Sequence, residues 1–387
     1  MTSVIVEAGY LVRSVSIEGT ALHINGDLNA TVPIKVIGAP ASTKDLHFNS
    51  QKLDFTVDPV TGDWSSTLQY TAPKLNLPDL SSLDWKYVDD LPEIQSTYDD
   101  SAWTVANHTT SNNPWGLQTP VSLYASDYGY NTGALIYRGH FVANGKESSF
   151  QVYTQGGSAY GSSVWLNSTY LGSWPGIDAS GGHTDTYTVP NLVSGKTYVI
   201  TVSVDNNGLD ENWTTGSDEM KNPRGIINYQ LSGHSQSDVT WKLTGNLGGE
   251  DYIDQTRGPL NEGGLYAERQ GFTQPYPPNS KWASGNPMTG ISTAGIAFYQ
   301  ADFSLDLPDD YDIPLTFNFG NTTMNGATAD YRAQLWVNGY QLYVSISETC
   351  CIIADLFQWK VCKQYRPTNF FPSSARYTVN ILHFWLC

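Results

Sequence analysis

Asp210 and Glu211 in GLDENW, Asp218 and Glu219 in SDEMKNPRG, and Glu250, Asp251, Glu262 and Glu268 between 249 and 272 form the densest carboxylate clusters of the chain. Two carboxylates held roughly 5–10 Å apart across a glycosidic bond supply the acid and the nucleophile or base of glycoside hydrolysis. Spacing alone sets no pair of them across a substrate. The competing reading has them filling loops and pairing with Arg224, Arg257 and Arg269 where two sandwiches meet. A second chemistry belongs to aromatic side chains, whose flat apolar faces and polar edges suit stacking on the C–H face of a sugar. Trp115, Trp174, Trp213 and Tyr276 are flanked by Pro, Gly or Asn, which marks them as loop residues and carbohydrate-stacking candidates. Burial in a β core is the alternative for each.

Other chemistries lack their residues. The seven histidines are dispersed without HExxH or paired spacing, so no metal site is expected. Neither a GxxxxGK[ST] loop nor a GxSxG elbow occurs, so no nucleotide cofactor and no serine nucleophile are implied. With 20 basic against 37 acidic residues, the net charge of −17 repels phosphate backbones and anionic lipid heads, which argues against nucleic acid and membrane as partners. No apolar run reaches the roughly 18 residues of a bilayer span. The N-terminal MTSVIVEAGY has no basic region and only a short apolar run, Val4–Val6, so no export signal of its own is expected. Asn29, Asn107, Asn167, Asn212 and Asn321 open N-x-[ST] sequons, a number that chance predicts for a chain this rich in Asn, Ser and Thr.

The elements that must position these residues are strands. Charged residues make up only 15% of the chain while Gly, Tyr, Trp and Pro are plentiful, a mixture that favours strands and turns. Period-two alternation recurs at Ser14–Ile17, Leu22–Ile24, Val32–Ile37, Lys52–Val57 and Ser65–Tyr70, predicting a small sandwich that ends near Pro73. APKLNLPDLSS (72–82) reads as a linker. Further strands are predicted at Ala134–Val142, Phe150–Thr154, Ser163–Asn167, Thr197–Asp205 and Val239–Thr244. An internal repeat organises this second part. Gly133, Tyr137 and Phe141 in GALIYRGHF recur as Gly295, Tyr299 and Phe303 in GIAFYQADF. Each copy is followed by a Trp and, two residues on, an Asn: Trp165 and Asn167, then Trp336 and Asn338. Even offsets in a strand put Gly, Tyr and Phe on one buried face, so two copies of one sandwich are expected.

After Gln341 the character changes. All four cysteines, Cys350, Cys351, Cys362 and Cys387, lie in this tail, and the local charge turns slightly basic. The second sandwich is therefore expected to lose its closing strands, unless the alternating ARYTVNIL (375–382) supplies a counterpart to Thr197–Val204.

At YVDDLPEIQSTYDDSAW (87–103), NTGALIYRGHF (131–141), SVWLNSTYLGSW (163–174), VDNNGLDENWT (204–214), KNPRGI (221–226) and the stretch from WKLTGNLGGEDY to AERQGF (241–272), the chain resembles the C-terminal part of secreted fungal β-galactosidases of glycoside hydrolase family 35. The resemblance runs from about Val4 to Gln341. It implies an all-β chain: a small β-sandwich (1–76), a first jelly-roll sandwich of the galactose-binding-like type (77–258), and an incomplete second one (259–341). Residues 342–387 then form an aberrant tail, read as a retained intron or frameshift. In that family a catalytic (β/α)₈ barrel precedes these domains and supplies both catalytic glutamates of a retaining mechanism. No carboxylate here matches either glutamate, so no catalytic residue is named and the fragment is expected to be inactive alone. Its implied role is to support the barrel, an intramolecular partner in an extracellular parent that hydrolyses terminal β-galactosides. The alternative is a stand-alone carbohydrate-binding module for galactosides.

Overall fold

The computed structural model describes residues 3–385 except 159, 177–180, 210–214, 217–220, 247–260, 262, 309–310, 312, 314, 318–322, 325–326, 329–330, 343–359 and 362–373. It divides into two compact units, the first built on Met1–Leu77 with Asp306–Thr316 and Val361–Ser373, the second on Pro78–Leu305 with Phe317–Lys360 and Ser374–Cys387.

In the first unit the alternating segments become β1 (Ile5–Ala8), β2 (Leu11–Glu18), β3 (Ala21–Asp27), β4 (Val32–Ile37), β5 (Asp45–Phe48), β6 (Gln51–Leu53), β7 (Thr56–Val57) and β8 (Trp64–Leu68). They form two four-stranded sheets, β1-β4-β8-β7 and β2-β3-β5-β6. Period two explains the division of labour. Leu22 and Ile24 of β3 point into a core with Ile34, Val36, Leu46, Phe48, Trp64 and Leu68, while His23 between them turns outward and stacks on His47 at 4.7 Å. That core stops short at β2. Val15 and Ile17 lie opposite Ile24 and Leu22 and so share their inward face, yet they remain 40% and 43% exposed. An edge strand thus presents an uncovered apolar rim continuous with the core.

The second unit opens with β9 (Lys86–Asp89) and continues through β10 (Thr104–Val105), β11 (Leu135–Val142), β12 (Ser149–Gln155), β13 (Ser162–Leu166), β14 (Thr169–Trp174), β15 (His183–Thr188), β16 (Thr197–Val204), β17 (Gly225–Leu231) and β18 (Thr240–Thr244). A six-stranded sheet, β10-β18-β11-β16-β13-β14, shares the first sandwich with a three-stranded sheet, β15-β12-β17. Leu135, Tyr137 and Phe141 of β11 face Phe150, Val152 and Trp241 in its core. Gly139 lies on that same face by alternation, where a Cβ would sit 2.8 Å from the Trp241 ring. The repeat's glycine behaves otherwise than expected: Gly133 precedes β11 in a left-handed turn (φ 84°) instead of lying within the strand.

The strands that follow are β19 (Ala283–Ser284), β20 (Gly295–Asp306), β21 (Leu315–Thr316), β22 (Thr323–Met324), β23 (Ala327–Thr328), β24 (Tyr331–Val337), β25 (Tyr340–Leu342), β26 (Lys360–Val361) and β27 (Ser374–Trp385), of which β21 and β26 form a two-stranded sheet of their own. The sheet of the second copy runs β19-β9-β20-β27-β24-β25. Set beside the first, β20 corresponds to β11, β24 to β13 and β25 to β14. β27, from the cysteine-bearing tail, occupies the place of β16. A counterpart to the three-stranded sheet is not found among the described residues.

The faces that the repeat did not mark hold the copies together. Ile136 and Trp165 of the first sheet enter one core with Phe298 and Trp336, their counterparts in the second, joined by Leu91, Leu265 and Ile296. The repeated tyrosines have a polar duty besides. Tyr137 donates to the Leu123 carbonyl at 2.9 Å and Tyr299 to the Gly290 carbonyl at 3.1 Å. Burial raises the pKa of both, that of Tyr299 to about 12.

One turn of the first sandwich carries a buried charge. Glu147 accepts from the N–H groups of Asn144 (2.6 Å) and Gly145 (2.9 Å) and lies 2.6 Å from His234 Nε2. Burial opposes ionisation, but these hydrogen bonds prevail and lower its pKa to about 2. A depressed carboxylate adds stability that is present above its unfolded value and lost as the pH falls toward the folded one. Glu147→Gln is therefore expected to lower stability at pH 6 and to flatten the decline between about pH 4.5 and 2, as read by urea denaturation across pH. Parallel pH curves for the two proteins would contradict this.

Candidate functional site

Where the apolar part of the sheet-to-sheet core ends, the same face of β11 turns ionic. Arg138, fully buried, pairs with Asp100 of YDDSAW and donates to the carbonyls of Tyr98 (3.1 Å) and Gln95 (2.8 Å). Asp100 also takes the Lys242 ammonium at 2.9 Å and lies 2.7 Å from His140 Nε2. Burial pushes its pKa up, but the bonds from Lys242 and His140 and the Arg138 charge hold it below the usual carboxylate range.

A second assembly lies around the turn after β9. Asp90 is fully buried, accepts from the Ala267 N–H, and has its pKa driven well up by burial, with Glu93 and Glu268 adding to the effect. Glu93 pairs with Arg269, whose guanidinium lies over the Trp103 and Tyr266 rings at 5.5 and 5.9 Å. Arg269 thus finds a carboxylate outside the clusters that the sequence singled out. Of those clusters only Glu268 is described. It accepts from the N–H groups of Gly263 and Leu265 and shapes the loop into the short helix Tyr266–Arg269. Arg224 donates to the carbonyls of Gly208 (2.7 Å) and Asn222 (3.1 Å). Asp210, Glu211, Asp218, Glu219, Glu250, Asp251, Glu262 and Arg257 lie outside the described residues.

The aromatic candidates do not converge. Trp115 is exposed in a loop braced by its N–H bond to Asn113 Oδ1, and Tyr276 is exposed with a left-handed backbone (φ 56°). Trp174 is not a loop residue as expected. It ends β14, packs against the first sandwich core and has one ring face covered by His183 at 3.8 Å. Trp213 lies outside the described residues, as do Asn212 and Asn321. Asn29 and Asn107 are exposed; Asn167, in the β13–β14 turn, accepts from the Val199 N–H through its side-chain oxygen.

A cleft of about 720 Å³ lies elsewhere, over the outer face of β15-β12-β17. Alternation in SFQVYTQ sends Phe150, Val152 and Thr154 inward and leaves Gln151 and Tyr153 outward. Strand register then builds two cross-strand rows, Thr186–Gln151–Gln230 and Thr184–Tyr153–Asn228. The 118–120 segment and the Ser235–Ser237 turn flank them, and Gln236 Nε2 donates to Asn228 Oδ1 at 2.8 Å. The polar positions of these strands are visible in the sequence, but their meeting in rows depends on register.

Comparison with known proteins agrees with this architecture. The family profile described as β-galactosidase second all-β domain matches residues 98–210 and 266–350, the segments that hold the two repeat copies. A profile described as β-galactosidase, domain 3 matches residues 1–65. β-Galactosidase A from a Penicillium species is 61% identical over 341 residues, covering 88% of this chain and 33% of that protein. β-Galactosidase A of Aspergillus niger is 57% identical over 347 residues, covering 89% and 34%. The chain thus spans about a third of the length of these curated relatives. A solved family 2 glycosyl hydrolase from Bacteroides cellulosilyticus aligns over 78% of this chain and 30% of its own, at 12% identity and a TM-score of 0.23.

Proposed function

Since this chain belongs to the β-galactosidase second all-β domain family, we propose that it is the accessory β part of a β-galactosidase, which covers and braces a catalytic barrel that cleaves terminal β-galactosides. The observation that supports the bracing role is the open rim of the small sandwich. Val15 and Ile17 continue the face of Leu22 and Ile24 but stay about 40% exposed. An apolar rim of this kind, continuous with a core, suits contact with another domain. The barrel of the parent is the occupant proposed for it, because the matched relatives carry about two thirds of their length beyond the aligned part.

On this reading the parent is an extracellular glycoprotein of glycoside hydrolase family 35, and exposed Asn29 and Asn107 are available to glycan addition. We also propose a retained intron or frameshift within residues 342–387, a tail whose first residues, to 350, still match the family profile. Transcripts that join the Gln341 codon to a family-like exon would support this, and uniform reads through the cysteine codons with a matching peptide would oppose it.

The purified chain is expected to leave a chromogenic β-galactoside unhydrolysed at any enzyme concentration where the Penicillium relative turns it over. Turnover that scales with chain concentration would replace the accessory reading by that of an autonomous hydrolase.

A further inference from the structure

The face of β15-β12-β17 described above has a composition at odds with the chain that carries it. In a protein of net charge −17, no Asp, Glu, Lys, Arg or His lines the 720 Å³ cleft among the described residues. Its volume falls within the range of small-molecule sites. A charged ligand would lose its hydration there without an opposite charge to replace it. Amide and hydroxyl side chains both donate and accept, and so do the hydroxyls of a neutral polyol.

The side chains are also held in place. Gln151 Nε2 donates to Thr186 Oγ1 (3.1 Å), and Gln230 Nε2 donates to the carbonyls of Leu231 and His234 (both 3.0 Å). Those bonds engage the two amide nitrogens, while both side chains line the cleft. Tyr153 supplies the aromatic surface. Its ring lies against Gly182, where a Cβ would sit 2.2 Å away, so the glycine lets the ring settle on the sheet. Outward side chains recur about 6.6 Å apart along a strand and about 4.8 Å apart across strands, a grid on the scale of hydroxyls around pyranose rings. A peptide seeking main-chain bonds finds none on the floor, because β12 is already paired on both sides.

We propose that this face is a docking site for a neutral oligosaccharide, with Tyr153 stacking on a sugar ring and the Gln151, Gln230 and Thr184 side chains bonding its hydroxyls. The proposal does not depend on the accessory reading. The site is made entirely by the first jelly roll and involves neither Trp115 nor Tyr276, the exposed aromatics that the sequence brought forward.

The test titrates the full chain with lactose, β-1,4-galactotetraose, cellotetraose and, as the acidic counterpart, trigalacturonate, by calorimetry. At least one neutral oligosaccharide is expected to bind with a Kd of about 0.1–1 mM, and trigalacturonate at least ~10-fold more weakly. Tyr153→Ala and, independently, Gln151→Ala are expected to weaken binding ~10-fold or more while Trp115→Ala does not. Circular dichroism melting checks that each variant is folded. Because Gln151 is exposed, its variant keeps the test open if Tyr153→Ala does not fold. Three results would each overturn the proposal: no neutral sugar bound at 10-fold above that Kd range, tighter binding of the acidic sugar, or affinity that depends on Trp115 and not on Tyr153 and Gln151.

Discussion

Trp336→Ala is expected to destabilise the second unit by about 3–5 kcal/mol, the usual cost of removing a large aromatic from a core. Trp336 is fully buried, lies 6.0 Å from the Phe298 ring, and meets Ile136 and Trp165 across the space between the two six-stranded sheets. A hole at this point opens the common core of both sandwiches, and neighbours on two sheets cannot collapse into it together. Urea denaturation should show a lower midpoint in one shared transition, with signals from both sandwiches moving together. The exposed Trp115 is the control, and its alanine variant should lie within about 0.5 kcal/mol of the parent. A loss below about 1 kcal/mol for Trp336→Ala, or a shift confined to signals from the second copy, would contradict a shared core.

Asp100→Asn is expected to cost about 3–5 kcal/mol at neutral pH, because it leaves the buried Arg138 guanidinium facing a neutral amide. Its size is preserved, so the loss reports charge rather than volume. Arg138→Met made in the Asp100→Asn background should regain part of that loss, since two uncharged groups replace one uncompensated cation. The pH dependence separates this from a packing effect. The Asp100 pKa is depressed in the folded chain, so its contribution is present above the unfolded carboxylate value and fades as the pH falls through the folded one. The difference between parent and Asp100→Asn should shrink on acidification below about pH 4. A difference that persists unchanged to pH 2 would show that charge plays no part.

Much of the architecture could be read from alternation, since the predicted runs before residue 245 became strands, except that Lys52–Val57 broke at Asp54 and Phe55 into β6 and β7, which join different sheets. Tyr137 and Phe141, and likewise Tyr299 and Phe303, are buried on one face in each copy, as equal offsets demanded. The partner faces were harder to see. Ile136 and Phe298 sit at the same offset in both copies, but nothing in a single strand says whether its second face meets water or another sheet. The ionic assemblies were hidden for a similar reason. Glu93 and Arg269 are separated by 176 positions, and Asp100 and Lys242 by 142, so only tertiary structure brings them together. Carboxylate density along the chain drew attention to the clusters between 210 and 268. Of the buried acids that organise the described fold, Glu268 belongs to those clusters, whereas Asp90, Glu93, Asp100 and Glu147 lie in turns or short connections elsewhere. β27 shows the opposite case. Alternation in ARYTVNIL was plain, and its pairing with β24 follows the position of β16 in the first copy.

The most direct measurement of the accessory role is assembly in trans. The purified chain would be mixed with the Penicillium β-galactosidase A from which the matched third has been removed, and followed by sedimentation velocity and by hydrolysis of a chromogenic β-galactoside. The account predicts a one-to-one complex at micromolar concentrations with raised activity or heat resistance, weakened ~10-fold or more by Ile17→Asp on the open rim. Two separate species at tens of micromolar, or a complex indifferent to Ile17→Asp, would contradict it.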